Sequence, residues 1–217
     1  MPYTLAIFDF DGTLADSLPW FLVAMNEAAE RYGFRRFEGA DVERLRGCSS
    51  WQVMQHAGIP MWRVPALTRF MRGRMGRDAG AIPLFAGVGR MLELLDAGGV
   101  AIAIVSTNAE RNVRRILGPR HAALVRHYGC GASLFGKRPK LRQVLAAAGV
   151  TAAEALCIGD EIRDLVAARA EGIPFGAVAW GFTDPAALAA QAPEAFFARV
   201  EEVVELVAPR RAEDRAS

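Results

Sequence analysis

Lysine is almost missing from this chain. Of 26 basic residues among 217, only Lys137 and Lys140 are lysines, and the rest are arginine. Both lie in Gly136-Lys137-Arg138-Pro139-Lys140. The arginine excess reads as a sequence-wide bias, so lysine kept in one short segment points to a place that needs a compact ammonium rather than a planar guanidinium. Cysteine is scarce as well. Cys48, Cys130 and Cys157 are odd in number and widely spaced, which argues against a disulfide-stapled secreted protein and for a reducing cytoplasm. The three histidines, His56, His121 and His127, lack metal-ligand spacing. No apolar run is long enough to span a bilayer, and Met1-Pro2-Tyr3 leads straight into an apolar segment, so neither a membrane span nor a signal peptide is expected. Net charge is +2 with both signs interspersed, which announces no basic face for nucleic acid. Internal repeats and low-complexity linkers are absent too.

What is present is a soluble composition, 52% hydrophobic and 23% charged, suited to one main core with a smaller appended unit. The most informative stretch is Asp9-Phe10-Asp11-Gly12-Thr13, directly behind the apolar run Leu5-Ala6-Ile7-Phe8. It sets two carboxylates two residues apart where a buried strand runs out into a glycine turn. Continued extension would put both on one face. Two such acids repel unless a divalent cation, or a proton on one of them, manages the charge.

After Asp11 the pattern turns helical. Leu18, Phe21, Leu22, Met25, Ala28, Ala29 and Tyr32 recur at helical spacing and stop at Gly33, and further helical segments cover Asp41–Arg46, Ser50–Ala57 and Pro60–Arg77. No convincing strand interrupts residues 16–80, which therefore read as a helical insertion, with Ala79-Gly80-Ala81-Ile82-Pro83 as the return hinge. Beyond it, strands and helices alternate. A helix over Val88–Ala97 precedes the apolar run Val100–Val105, which reads as a strand buried on both faces. A helix at Glu110–Leu117, a strand near Ala132–Phe135 and a helix from Pro139 to Ala148 follow. Then come a strand at Ala155–Ile158, a helix to Gly172, a strand at Phe175–Ala179, and helices near Pro185–Gln191 and Arg199–Val207. Alternation of this kind predicts an α/β fold, a doubly wound parallel sheet with the helices on both faces. Such sheets bind ligands at the carboxyl ends of their strands. The polar residues expected there are Asp9 and Asp11, then Ser106-Thr107-Asn108, then Lys137, then Asp160 with Asp164: a set suited to phosphate and a metal.

In order along the chain, Asp9-Phe10-Asp11-Gly12-Thr13-Leu14, Val105-Ser106, Lys137 and Gly159-Asp160-Glu161-Ile162-Arg163-Asp164 resemble the four motifs of the haloacid dehalogenase-like hydrolases. The resemblance implies a Rossmann-like core over 1–15 and 81–217 and an all-helical cap domain over 16–80. It points to the phosphatase branch, similar to the phosphoglycolate phosphatases. By this resemblance Asp9 is the nucleophile that forms an aspartyl-phosphate, and Asp11 is the general acid and base, with a pKa raised towards neutrality. Mg²⁺ is the implied cofactor, with Asp9, Asp11, Asp160 and Asp164 as its candidate ligands, Asp11 through its carbonyl. Ser106, Thr107, Asn108 and Lys137 would bind phosphate, and Lys140 is the alternate lysine. Arg44, Arg46 and Ser49 in the cap are candidate substrate contacts, an arginine there suiting a carboxylate such as that of phosphoglycolate. The expected partner is a small phosphate ester. A phosphosugar mutase of the same family and a non-catalytic phosphate- or partner-binding module are the alternatives, and the oligomeric state stays open.

Overall fold

The computed structural model describes residues 3–48, 50–133 and 136–208, without the side chains of residues 40, 41 and 50. Six parallel strands form one sheet in the order β3-β2-β1-β4-β5-β6. They are β1 (Leu5–Phe8), β2 (Ala101–Ile104), β3 (Val125–Tyr128), β4 (Ala155–Gly159), β5 (Phe175–Val178) and β6 (Ala195–Phe197). The order reverses at β1, which pairs with β2 on one side and β4 on the other. The ends of β1 and β4 thus open the crevice where such sheets hold ligands. Because β1 is central, all four of its residues are buried. Apolar clusters cover the two faces of the sheet: Phe8, Phe10, Ile102 and Leu156 belong to one, and Ile7, Leu141, Leu165 and Phe175 to the other.

Four helices leave the sheet between β1 and the next core helix: α1 (Leu18–Tyr32), α2 (Ala40–Arg46), α3 (Ser50–Ala57) and α4 (Val64–Asp78). They pack around their own apolar cluster, with Met25, Phe37, Leu45, Met54 and Ile59 at its centre. The expected stop of α1 is in place, since Gly33 adopts a left-handed conformation (φ 67°) and donates its N–H to Ala29 O. The outgoing and returning chains run side by side: Asp16 N–H donates to Pro83 O, and Phe85 N–H donates to Leu14 O, at 2.9 and 3.0 Å.

The core helices are α5 (Val88–Ala97), α6 (Glu110–Ala122), α7 (Lys137–Ala148), α8 (Ile162–Arg169), α9 (Pro185–Ala189) and α10 (Val200–Val207). Two expectations need correction. The third strand is Val125–Tyr128, upstream of the expected 132–135, of which 134 and 135 lie outside the described residues. It is an edge strand whose central Arg126 and His127 break any apolar run. Helix α6 continues past Leu117 to Ala122, kinking at Gly118 (φ 72°, ψ 166°) before Pro119. The short edge strand β6 was not anticipated.

The glycine turn behind β1 has little freedom. Gly12 sits at φ 82°, and a Cβ added there would lie 2.4 Å from Asp160 Oδ2. Gly12→Ala should therefore destabilise the chain by about 1–3 kcal/mol, combining left-handed strain with displacement of Asp160. Urea unfolding with an unchanged midpoint would refute this close approach.

Candidate active site

The side chains expected at the strand ends do converge. Asp9 is the first residue after β1, 5% exposed, and its Oδ2 lies 2.8 Å from Lys137 Nζ. Lys137 is the first residue of α7, and its Nζ also lies 2.6 Å from Asp164 Oδ1. Of the two lysines, Lys137 is thus the one at the carboxylates. Lys140 sits one turn further along α7, where its Cβ faces Gly129. Asp164, in the first turn of α8, is 2% exposed and shared between Lys137 and Arg163, whose Nε is 4.0 Å away.

Asp160, just past β4, is fully buried and held from two sides. Thr13 Oγ1 donates to Oδ1 at 2.7 Å, and Phe182 N–H donates to Oδ2 at 2.8 Å. Asp11 lies in the turn beyond β1 and accepts from Ser17 Oγ at 3.0 Å and Asn108 Nδ2 at 3.2 Å. After β2, Ser106 is buried and its Oγ accepts the Asn108 N–H at 3.0 Å, which holds that turn in place. The N-cap of α6 is Ala109, so capping is not the role of Ser106. Thr107 and Asn108 line the cavity described below.

Burial and charge crowding together separate these acids. For Asp9, burial works to raise the pKa, but the Lys137 ammonium, a hydrogen bond from Asp164 and the Arg163 guanidinium outweigh it and hold the group below the usual carboxylate range. Burial, followed by the neighbouring Asp9 charge, pushes Asp11 up to about 6. Burial, then Glu161 and Asp9, pushes Asp160 up to about 8. Asp164 is raised well above the ordinary value by burial and by Asp9. One acid is held below the ordinary carboxylate range while its three neighbours are held above it.

The residues fit a divalent cation. Asp9, Asp160 and Asp164 each offer a carboxylate oxygen, all within 4.8 Å of one another. A set of hard oxygen donors suits Mg²⁺, and a cation would offset the burial and the Glu161 and Asp9 charges that raise Asp160.

The cap residues behave differently from a substrate-binding set. Arg46 donates from Nε to Phe182 O at 3.0 Å and from Nη2 to Gly181 O at 3.1 Å, and its own carbonyl accepts from Asp184 N–H. It ties the cap to the loop after β5. Arg72 does the same elsewhere, donating to Thr107 O at 2.7 Å and Ala132 O at 2.8 Å. Its run, Arg69, Arg72, Arg74 and Arg77, reads from sequence as a solvated face, which hides that clasp. Arg44 is exposed and approaches His56, outside the cavity lining. Ser49 lies outside the described residues. The loop at 180–184 escaped the sequence reading entirely: Trp180 Nε1 donates to Thr13 O, Phe182 holds Asp160, and the Phe182 ring meets Phe21 at 5.6 Å. Gly181 is the signal that was available there, because a Cβ would lie 2.1 Å from Asp160 Cβ.

The profile of the haloacid dehalogenase-like hydrolases matches residues 6–178. The chain belongs to that family. It is similar to the phosphoglycolate phosphatase of Synechococcus elongatus, 34% identical over 189 residues that cover 87% of this chain and 89% of that one. It also matches the tyrosine-protein kinase PtkA of Mycobacterium tuberculosis, 30% identical over 184 residues covering 82% of this chain but 62% of the kinase. Among solved structures, a putative phosphoglycolate phosphatase from Lactobacillus plantarum superposes with a TM-score of 0.81 at 25% identity, covering 95% of this chain and all of that one.

The shifts of Asp160 and Asp164 have a measurable consequence for the metal-free protein. Their folded pKa values lie above the unfolded value, so the folded state holds more protons and stability falls as pH rises from about 4 through 8. Thermal unfolding in chelator should give a Tm lower at pH 8.5 than at pH 6, by on the order of 5 °C. Mg²⁺ should recover more of it at the higher pH. An Mg²⁺ gain that is equal at both pH values would refute buried, crowded acids as the reason the site takes a cation.

Proposed function

We propose that this chain is an Mg²⁺-dependent phosphatase that hydrolyses a small phosphate monoester through an aspartyl-phosphate. The observation that carries the reading is the division of labour between Asp9 and Asp11. Asp9 is kept ionised by Lys137, and Asp11 is raised to about 6 two residues away. An ionised carboxylate is what a nucleophile requires, and a carboxyl titrating near neutrality is what proton transfer to and from oxygen requires.

In this reading an Asp9 carboxylate oxygen attacks phosphorus, and Asp11 gives its proton to the leaving alcohol oxygen. Asp11 then takes a proton from the water that cleaves the acyl phosphate, which returns both residues to their starting state. Lys137 neutralises charge shared by Asp9 and the phosphoryl oxygens, and Asp164 positions Lys137. Ser106 and the backbone around Thr107 and Asn108 cradle the remaining oxygens. Asn108 and Ser17 aim the Asp11 carboxyl. Asp9, Asp160, the Asp11 carbonyl and Asp164 would hold Mg²⁺, which supplies charge neutralisation at the phosphoryl group when bound. Residues 16–80 act as the cap that excludes water.

Relatives named phosphoglycolate phosphatase support a small ester and make phosphoglycolate the reference substrate. Phosphate release from a panel of esters with Mg²⁺ tests the assignment. Asp9→Asn keeps the shape and removes the nucleophilic charge, and it should cut turnover at least about a thousandfold. Activity that survives in Asp9→Asn would overturn the mechanism, and conversion of a sugar phosphate to its isomer without free phosphate would move the reading to a mutase.

Arg46 supplies a second test. Its guanidinium is engaged with core carbonyls, so Arg46→Ala should raise KM for acidic and neutral esters alike, by at least about tenfold. A loss confined to acidic esters would restore Arg46 as the carboxylate contact.

A further inference from the structure

The space between cap and core is lined by hydrocarbon and thioether groups. A cavity of about 270 Å³ runs from Asp11, Ser17 and Asn108 at the catalytic end into the middle of the four cap helices. Its far walls are Met25, Met54, Leu67 and Met71, members of the cap's own apolar cluster or packed against it, and Phe21 and Met75 stand nearer the mouth. Three cations among the described residues touch it, and each is engaged. Arg46 and Arg72 donate to core carbonyls, and Arg163 is paired with Glu161 beside Asp164. All three contact the core side of the cavity, so a carboxylate carried past them, among Met25, Met54, Leu67 and Met71, would lose its hydration against apolar walls, at a cost that a hydrocarbon group does not meet.

We propose that the ester this cavity selects carries an apolar body, an alkyl or aryl group on a phosphate monoester, rather than an acidic one. The inference rests on the phosphatase reading for the identity of the head group, and it adds the class of the leaving alcohol. The volume holds about nine water-sized groups, enough for a chain of about six carbons behind the phosphate. Methionine walls suit such a guest, because unbranched thioether side chains repack around varied apolar shapes. The alcohol oxygen would sit at the mouth beside Asp11, where the proton is needed, with the carbon chain pointing into the cap.

The test separates binding from turnover. Methyl-, butyl-, hexyl- and octylphosphonate, which cannot be hydrolysed at phosphorus, are titrated calorimetrically into the Mg²⁺-loaded protein, with phosphonoacetate as the acidic comparator. Affinity should rise by about fourfold per methylene through hexyl and then level off, and butylphosphonate should bind tighter than phosphonoacetate. Leu67→Trp, which fills part of the far wall, should move the levelling point to a shorter chain. A flat or falling series, or tighter binding of phosphonoacetate, overturns the inference. Phosphate release from the matching alkyl phosphates is measured in parallel. Release without the chain-length trend would defeat this inference and leave the phosphatase reading intact. The trend without release would defeat the phosphatase reading and leave the apolar pocket standing.

Discussion

The whole arrangement depends on one electrostatic constraint: four carboxylates are gathered at the ends of two adjacent parallel strands, with one ammonium among them. Asp9 and Asp11 follow β1, and Asp160 and Asp164 follow β4, and the pairing of these strands leaves no way to spread the charges apart. Lys137, contributed by α7, meets Asp9 and Asp164 together. Its ammonium is the largest of the influences that hold Asp9 below the ordinary carboxylate range against burial, ahead of Asp164 and Arg163. Buried charges of this kind do little for stability by themselves. Their value lies in leaving one acid ionised and the next one able to hold a proton, which is a chemical capacity gained at the expense of the fold.

That expense is met by the surroundings. Phe8 and Phe10 fill the sheet face beneath the acids, and Phe182 with Trp180 closes over them from the loop after β5. Arg46 and Arg72 then bind the cap to this layer through backbone carbonyls. Carbonyl acceptors belong to the fixed frame of the core, so the cap is held in register by groups that do not vary with side-chain rotamer.

Much of the core was legible because it follows from short-range rules. Buried runs such as Ala101–Ile104 and Ala155–Gly159 announce interior parallel strands, and the acids behind them announce a strand-end site. The scarcity of lysine pointed to the segment of Lys137 and Lys140, and geometry chose between them. Edge strands were less legible: β3 has a half-exposed Val-Arg-His-Tyr pattern and β6 only three residues, so neither carries the periodicity of a buried element. The least legible features were those made by distant residues meeting. Nothing local to Arg46, Arg72 or Phe182 says that a cap arginine ends on a core carbonyl or that a loop N–H ends on Asp160.

Water exclusion joins the acidic end of the cavity to its apolar end. Desolvation is the largest cause of the raised pKa of Asp11, ahead of the Asp9 charge. The carboxyl lines the same cavity as Phe21, Met71 and Met75, so the walls that would select a leaving group are also the walls that dry the acid. On the proposed reading, an ester body that fills this space removes the remaining water from beside Asp11 and strengthens each interaction there, since charges act further in a drier medium. A guest that leaves the space wet would forgo that effect. Fit in the cap would therefore be felt at the proton-transfer step, and discrimination between esters would fall on kcat as well as on binding.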